Sequence, residues 1–246
     1  MWKKESIFFR NRADRAEERI GSSVTGRPAG RKKQDFRNRA DRNVKSGQNK
    51  MNDRNIEIRE QLKKILKPSR FEHTLGVCYT ASALAMRWGA DLKKAETAGL
   101  LHDCAKCYDN VAIVAECRRL GIELTADELA APAVIHAKLG AWKAEHEYGI
   151  QDPEVLSAIA NHTTGKPGMS LLDKIVYIAD YIEPGRKMLP RMEEFRVMAF
   201  TDLDEAFYEI QESILDYLRS TGSFIDSNSL ASFEYCRKEK ENALHG

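Results

Sequence analysis

The chain has 246 residues, 42% hydrophobic and 31% charged, enough for one sizeable core with an appendage. No apolar run approaches the ~18 residues of a membrane span, and the basic N-terminus lacks the apolar stretch of a secretory signal. A formal net charge of +2 hides an asymmetry, because residues 1–50 hold 15 Lys and Arg against 6 Asp and Glu, while the remainder is acidic.

Residues 1–52 read as a basic, disordered extension. Phe9 to Arg15 recurs identically as Phe36 to Arg42, with Gly-, Ser- and Pro-containing spacers between the copies. Such a segment has too few apolar residues to bury a core. It could touch nucleic acid or an acidic partner electrostatically. The preferred reading is a solvated tail, or an over-long start before Met51.

After Met51 the pattern is helical. Ile56, Leu62, Ile65 and Leu66 give one amphipathic stretch that stops before Pro68. Ser69 is the expected cap of the next helix, which runs to Trp88 and Gly89 with His73, Val77, Ala81, Leu84 and Ala85 on its core face. Asp91 opens a third helix. It carries Ala95, Ala98, Gly99 and Leu101 into His102-Asp103, and its small residues permit close helix contact. Further helices are predicted at about 109–120, 126–147, 153–162, 171–183 and 190–220. Ser170 with Asp173 forms a capping-box pattern. No alternating strand pattern of useful length is present. The prediction is an all-α bundle over 53–222, followed by a polar helix or tail over 223–246.

The chemistry concentrates in His73, His102, Asp103, His136, His162 and Asp180. Each lies in or beside an apolar helical stretch. Asp180 sits inside Ile175-Val176-Tyr177-Ile178-Ala179-Asp180-Tyr181-Ile182, where a bare carboxylate is costly. One His-Asp pair proves little, and an isolated core histidine is usually just hydrogen-bonded. Together with Asp180 the set points instead to a metal such as Fe, Mn or Zn. Such a metal makes hydroxide near neutral pH and polarises phosphoryl oxygens. The five cysteines read as reduced cytosolic thiols. Cys104 and Cys107 form a CxxC with no second pair to complete a zinc site.

Four longer motifs carry a resemblance. They are Arg70-Phe71-Glu72-His73-Thr74-Leu75-Gly76-Val77, Leu101-His102-Asp103-Cys104-Ala105-Lys106, the run His162 to Ser170, and Ala179-Asp180-Tyr181-Ile182-Glu183-Pro184-Gly185-Arg186. Over about 55–220 the chain resembles the YqeK family of HD-domain metal phosphohydrolases, the symmetrical bis(5′-nucleosyl)-tetraphosphatases. Cys104 departs from the aromatic usual in that family after the HD pair. The resemblance implies an HD-domain helical bundle with His73, His102, Asp103 and Asp180 as metal ligands. It implies one or two divalent ions, iron favoured and manganese open, that activate water for attack on phosphorus. His102, Asp103 and Lys106 would be catalytic. Arg70, His136, His162, Thr163 and Arg186 would bind substrate, with Lys166 a weaker candidate. The expected reaction cleaves diadenosine tetraphosphate, a dinucleoside polyphosphate, into two ADP in the cytoplasm, with no membrane partner. A homodimer is admitted. The alternatives are an HD phosphohydrolase acting on another nucleotide, and a nucleic-acid-binding module using the basic arm.

Overall fold

The computed structural model describes residues 54–245, so the extension predicted over 1–52 lies outside the described residues. Helix α1 covers 54–65. It is followed by α2 (Pro68–Trp88), α3 (Leu92–Leu101), α4 (Asn110–Arg119), α5 (Ala126–Ala130), a 3₁₀ turn (Pro132–Val134), α6 (Ile135–His146) and α7 (Pro153–Asn161). Helices α8 (Leu171–Ile182), α9 (Met192–Thr201), α10 (Leu203–Ser220) and α11 (Ser227–His245) complete the chain. No strand occurs among the described residues, so the fold is all-α.

Side-chain caps explain most starts. The Asp91 carboxylate accepts from the N–H groups of Lys93 and Lys94, and Asp152 accepts from those of Glu154 and Val155. Ser170 and Asp173 close the expected reciprocal capping box at the start of α8. Four expectations are corrected. Ser69 does not cap α2, which begins at Pro68, a residue with preset φ and no N–H to satisfy. The buried face of α1 is Asn55, Ile58 and Leu62, continued by Leu66 just beyond the helix, whereas Ile56 and Ile65 are exposed. The helix expected over 126–147 breaks at Pro132, whose ring and missing N–H cannot continue α5. The helix expected over 190–220 breaks at Asp202, which is extended and uses its side chain to cap α10.

Helix α2 packs on α3, α8 and α9, while α3 also meets α6, α7 and α8. Gly99 permits a close approach of α3 to α2. A Cβ there would lie 2.9 Å from the Cys78 Cα, so a larger residue would push α3 off α2. The core at this crossing includes Val77, Ala81, Leu84, Ala98, Leu101, Ile175 and Ile178, all fully buried. Each large aliphatic side chain there contributes roughly 1.5–3 kcal/mol through burial. A smaller cluster of Ala105, Ile113, Cys117, Ile135 and Leu139 seats α4 against α6. It includes residues of the turn after Asp103 and of the start of α6. Helix α11 rests on α10, with Phe233 stacked on Tyr208 at 5.1 Å. The polar residues singled out from the sequence therefore sit mainly at helix ends, where helices that pack together converge.

Candidate metal centre

His73 projects from the second turn of α2, and His102 ends α3. Asp103 follows in the turn. His136 opens α6, His162 ends α7 and Asp180 lies in the last turn of α8. His102, Asp103, His136 and His162 are each at most 5% exposed.

The histidines share one orientation rule. The Nδ1 atoms of His102, His136 and His162 lie 2.7, 2.6 and 2.8 Å from the carbonyls of Gly99, Ala133 and Ile159, each three residues back. His73 Nδ1 lies 2.9 Å from Glu183 Oε1. Carbonyls and carboxylates only accept, which puts a proton on Nδ1 of His73, His102 and His162 and turns their Nε2 atoms inward. His73 Nε2 lies 2.9 Å from Asp180 Oδ1 and 3.7 Å from Asp103 Oδ2. His102 Nε2 lies 3.4 Å from Asp103 Oδ2 and 3.6 Å from Asp180 Oδ1. Asp103 Oδ1 faces the other way, 3.3 Å from His136 Nε2 and 3.7 Å from His162 Nε2.

This geometry fits a cation. The buried Nε2 atoms of His73 and His102 make no well-aligned hydrogen bond, although Asp180 Oδ1 stands 2.9 Å from His73 Nε2. Two buried imidazole nitrogens facing two carboxylates are matched by a divalent ion of the Fe, Mn or Zn kind, which would displace the proton they otherwise share. Three overlapping groups could hold one: His73, His102 and Asp103; His102, His162 and Asp180; and Asp103, His136 and His162. Electrostatics agree. Burial resists charge on His102, but Asp103 and Asp180 carry its pKa up to about 10. Burial likewise opposes ionisation of Asp103, but His102 beside it holds the carboxyl well below the usual range. The same imidazole, with His73 and Arg186, does this for Asp180. Burial, then His162 and Lys106, lowers His136 to about 3.

The remaining residues singled out from the sequence are placed as follows. Arg70 Nη1 donates to Asp103 Oδ2 at 2.8 Å, and Arg186 donates to the Asp180 carboxylate and backbone carbonyl. Lys106 Nζ lies 2.9 Å from His136 Nδ1, and burial lowers its pKa despite Asp103 nearby. Thr163 Oγ1 lies 3.1 Å from both His136 Nε2 and His162 Nε2. Lys166 is not brought to the centre, since it bonds Ser157 and pairs with Asp173 at the start of α8. Cys104 is buried against the Gly140 carbonyl while Cys107 is exposed. Among the described residues neither cysteine joins a metal-ligand group. Glu183 was missed as a site residue, although its motif was read. The available signal was a carboxylate immediately after an apolar helix and three residues beyond Asp180.

A model of the HD domain matches residues 70–185. The chain is 39% identical over 180 residues to a symmetrical bis(5′-nucleosyl)-tetraphosphatase of Halalkalibacterium halodurans, covering 72% of this chain and 93% of the relative. It is 40% identical over 159 residues to the protein of the same name from Bacillus subtilis, covering 64% and 83%. The solved structure of an HD superfamily hydrolase from Clostridium acetobutylicum, described as involved in NAD metabolism, superposes with a TM-score of 0.72. It is 38% identical and covers 74% of this chain and 96% of that one.

Proposed function

This chain belongs to the HD-domain family of symmetrical bis(5′-nucleosyl)-tetraphosphatases, and we propose that it hydrolyses diadenosine tetraphosphate to two ADP at its His/Asp centre. The observation that carries the reading is the convergence of two buried imidazole Nε2 atoms, on His73 and His102, with the carboxylates of Asp103 and Asp180.

His73, His102, Asp103 and Asp180 would hold a divalent ion. That ion would supply acidified water as nucleophile and screen the phosphoryl oxygens. Iron is the favoured metal, and manganese suits the same donors. His136 and His162 face phosphate in this reading. Their grouping with Asp103 also supports a second ion position.

The chain's own residues do the positioning that phosphoryl transfer requires. Arg186 and Arg70 already lie against the ligand carboxylates. Once a cation neutralises Asp180 and Asp103, their guanidiniums are the adjacent donors for phosphate oxygens, and Arg186 can grip two at once. Thr163 Oγ donates to the same phosphate. Lys106 Nζ, drawn below its usual pKa by burial, carries a proton to the departing phosphate oxygen. Holding one nucleoside diphosphate half against Arg186, His136 and His162 enforces a central cut. The five free thiols suit the cytoplasm.

The test couples metal analysis of the purified full chain to chromatography of its products from diadenosine tetraphosphate. ADP alone is expected, with at least one tightly bound divalent ion. Equal amounts of ATP and AMP would overturn the symmetrical reading. Turnover of a different nucleotide only would keep the HD hydrolase and change its substrate.

A further inference from the structure

We infer that Glu183 is a positioning residue that locks His73 as the Nδ1–H tautomer and so presents the Nε2 lone pair to the metal. The inference rests on the metal-centre reading above.

His102, His136 and His162 orient themselves on backbone carbonyls because they stand at helix ends, where carbonyls in a tight turn are available. His73 stands inside α2, where the carbonyls of the preceding turn are committed to the helix. It needs a side-chain acceptor from elsewhere. Glu183 supplies one across 110 residues of sequence, at 2.9 Å. The end of α8 thus grips the ring from both sides, with Asp180 facing Nε2 and Glu183 facing Nδ1.

The carboxylate is itself held in place. Glu183 is 2% exposed. Its Oε2 accepts from the Gly185 N–H, and its backbone carbonyl accepts from Arg196. Room for it exists only because residue 76 is glycine, since a Cβ there would overlap the carboxylate. The cost of burying this carboxylate is offset by its two donors, the Gly185 N–H and the His73 ring. A carboxylate behind a histidine ligand fixes its tautomer, orients the ring and raises its basicity.

The experiment compares the full chain with Glu183→Gln. The amide keeps the shape but places an NH₂ group against one of the two donors and removes the charge. Metal-free melting should stay close to wild type. Zinc affinity, measured by chelator competition, should fall about 10- to 100-fold. Two-bond ¹H–¹⁵N spectra of the zinc-loaded proteins should show His73 as the Nδ1–H form in wild type, and a changed His73 pattern in the variant. Affinity within twofold of wild type overturns the inference. So does a fall in affinity with the His73 signature unchanged, because that is a structural effect only. If Glu183→Gln does not fold, the paired Gly76→Ala/Glu183→Ala variant fills the space with one methyl. It should fold and bind zinc as weakly, and wild-type affinity in it would overturn the inference. A wild-type chain that binds no divalent ion fails earlier, and sinks the metal-centre reading itself.

Discussion

Asp103 divides the centre into two sides that differ more in their chemistry than in their residues. Its Oδ2 faces His73 and His102, with Asp180 beyond; its Oδ1 faces His136 and His162. On the first side the Nε2 atoms make no well-aligned hydrogen bond. On the second, the two Nε2 atoms lie 3.1 Å apart, each within 3.1 Å of the Thr163 hydroxyl. An unmet buried polar atom costs about 1–3 kcal/mol, and in the proposed reading a cation meets the two on this side. The second gathers two imidazoles around one hydroxyl and one carboxylate oxygen. The charges follow the same division. Two carboxylates overcome burial and raise His102 to about 10, while burial, helped by His162 and Lys106, lowers His136 to about 3. In the proposed reading, nearly identical ligand types are prepared for different tasks, the first for tight metal retention and the second for phosphate or a weaker ion.

The largest effect should come from the residue both sides share. Asp103→Ala should abolish turnover and strip bound metal while leaving the far-ultraviolet circular dichroism helical. Excess chelator should do the same to the wild type. Activity surviving either treatment would end the metal reading on both sides at once.

The next two variants separate the sides. His102→Ala should lose both metal and turnover. His136→Ala should keep at least one ion per chain and lose about 10²-fold in kcat, the scale of one positioned polar group. Equal metal loss in the two variants would show that the sides are equivalent.

Arg186→Lys should follow, with a drop of about tenfold in kcat/KM and no change in metal content. A point charge replaces a planar fork that can hold two phosphate oxygens. Metal loss in this variant would mean that Arg186 serves Asp180 rather than substrate.

A smaller effect appears in the metal-stripped protein. The His136 pKa falls to about 3 in the folded state, against about 6.5 when unfolded. Between those values the unfolded chain binds the extra proton, so this group removes stability as pH falls through that window. His102 is shifted upward, so its contribution is complete below about 6.5 and is lost as pH rises through about 10. Melting at pH 5 and pH 7 should therefore show a smaller acid loss for His136→Gln than for wild type. Parallel curves would remove the electrostatic half of the comparison.

The first side was the more legible in the sequence. Asp180 inside an apolar run announces a partner, and Ser170 with Asp173 announces the helix that carries it. Helix interiors were readable from periodicity, whereas the breaks rest on single residues inside runs of helix formers, a proline at 132 that lacks the N–H and an aspartate at 202 that caps the next helix. Arg70 and Arg186 could be seen as cations near the motifs. That they rest on Asp103 and Asp180 could not, since spacing along a chain does not say which anion a cation meets. Glu183 and Gly76 are the plainest case. Their relation is a contact between α2 and the end of α8, and local sequence carries no trace of it.

The smallest expected effect concerns what lies outside both sides. Residues 1–50 hold none of the histidines or acids of the centre, their charge opposes that of the remainder, and their composition cannot bury a core. If the centre is complete within the described helices, a chain starting at Met51 should keep kcat and KM within about twofold, since no transition-state contact is lost. If the extension binds polyanions, the full-length protein should retain RNA or DNA at low salt and release it steeply as salt rises, and the shortened chain should not retain it. Binding that persists in the shortened chain would move the polyanion contact onto the acidic remainder. A large loss of activity on truncation would mean that the extension reaches one side of Asp103. The side it serves would then be identified by whether metal content or KM changes.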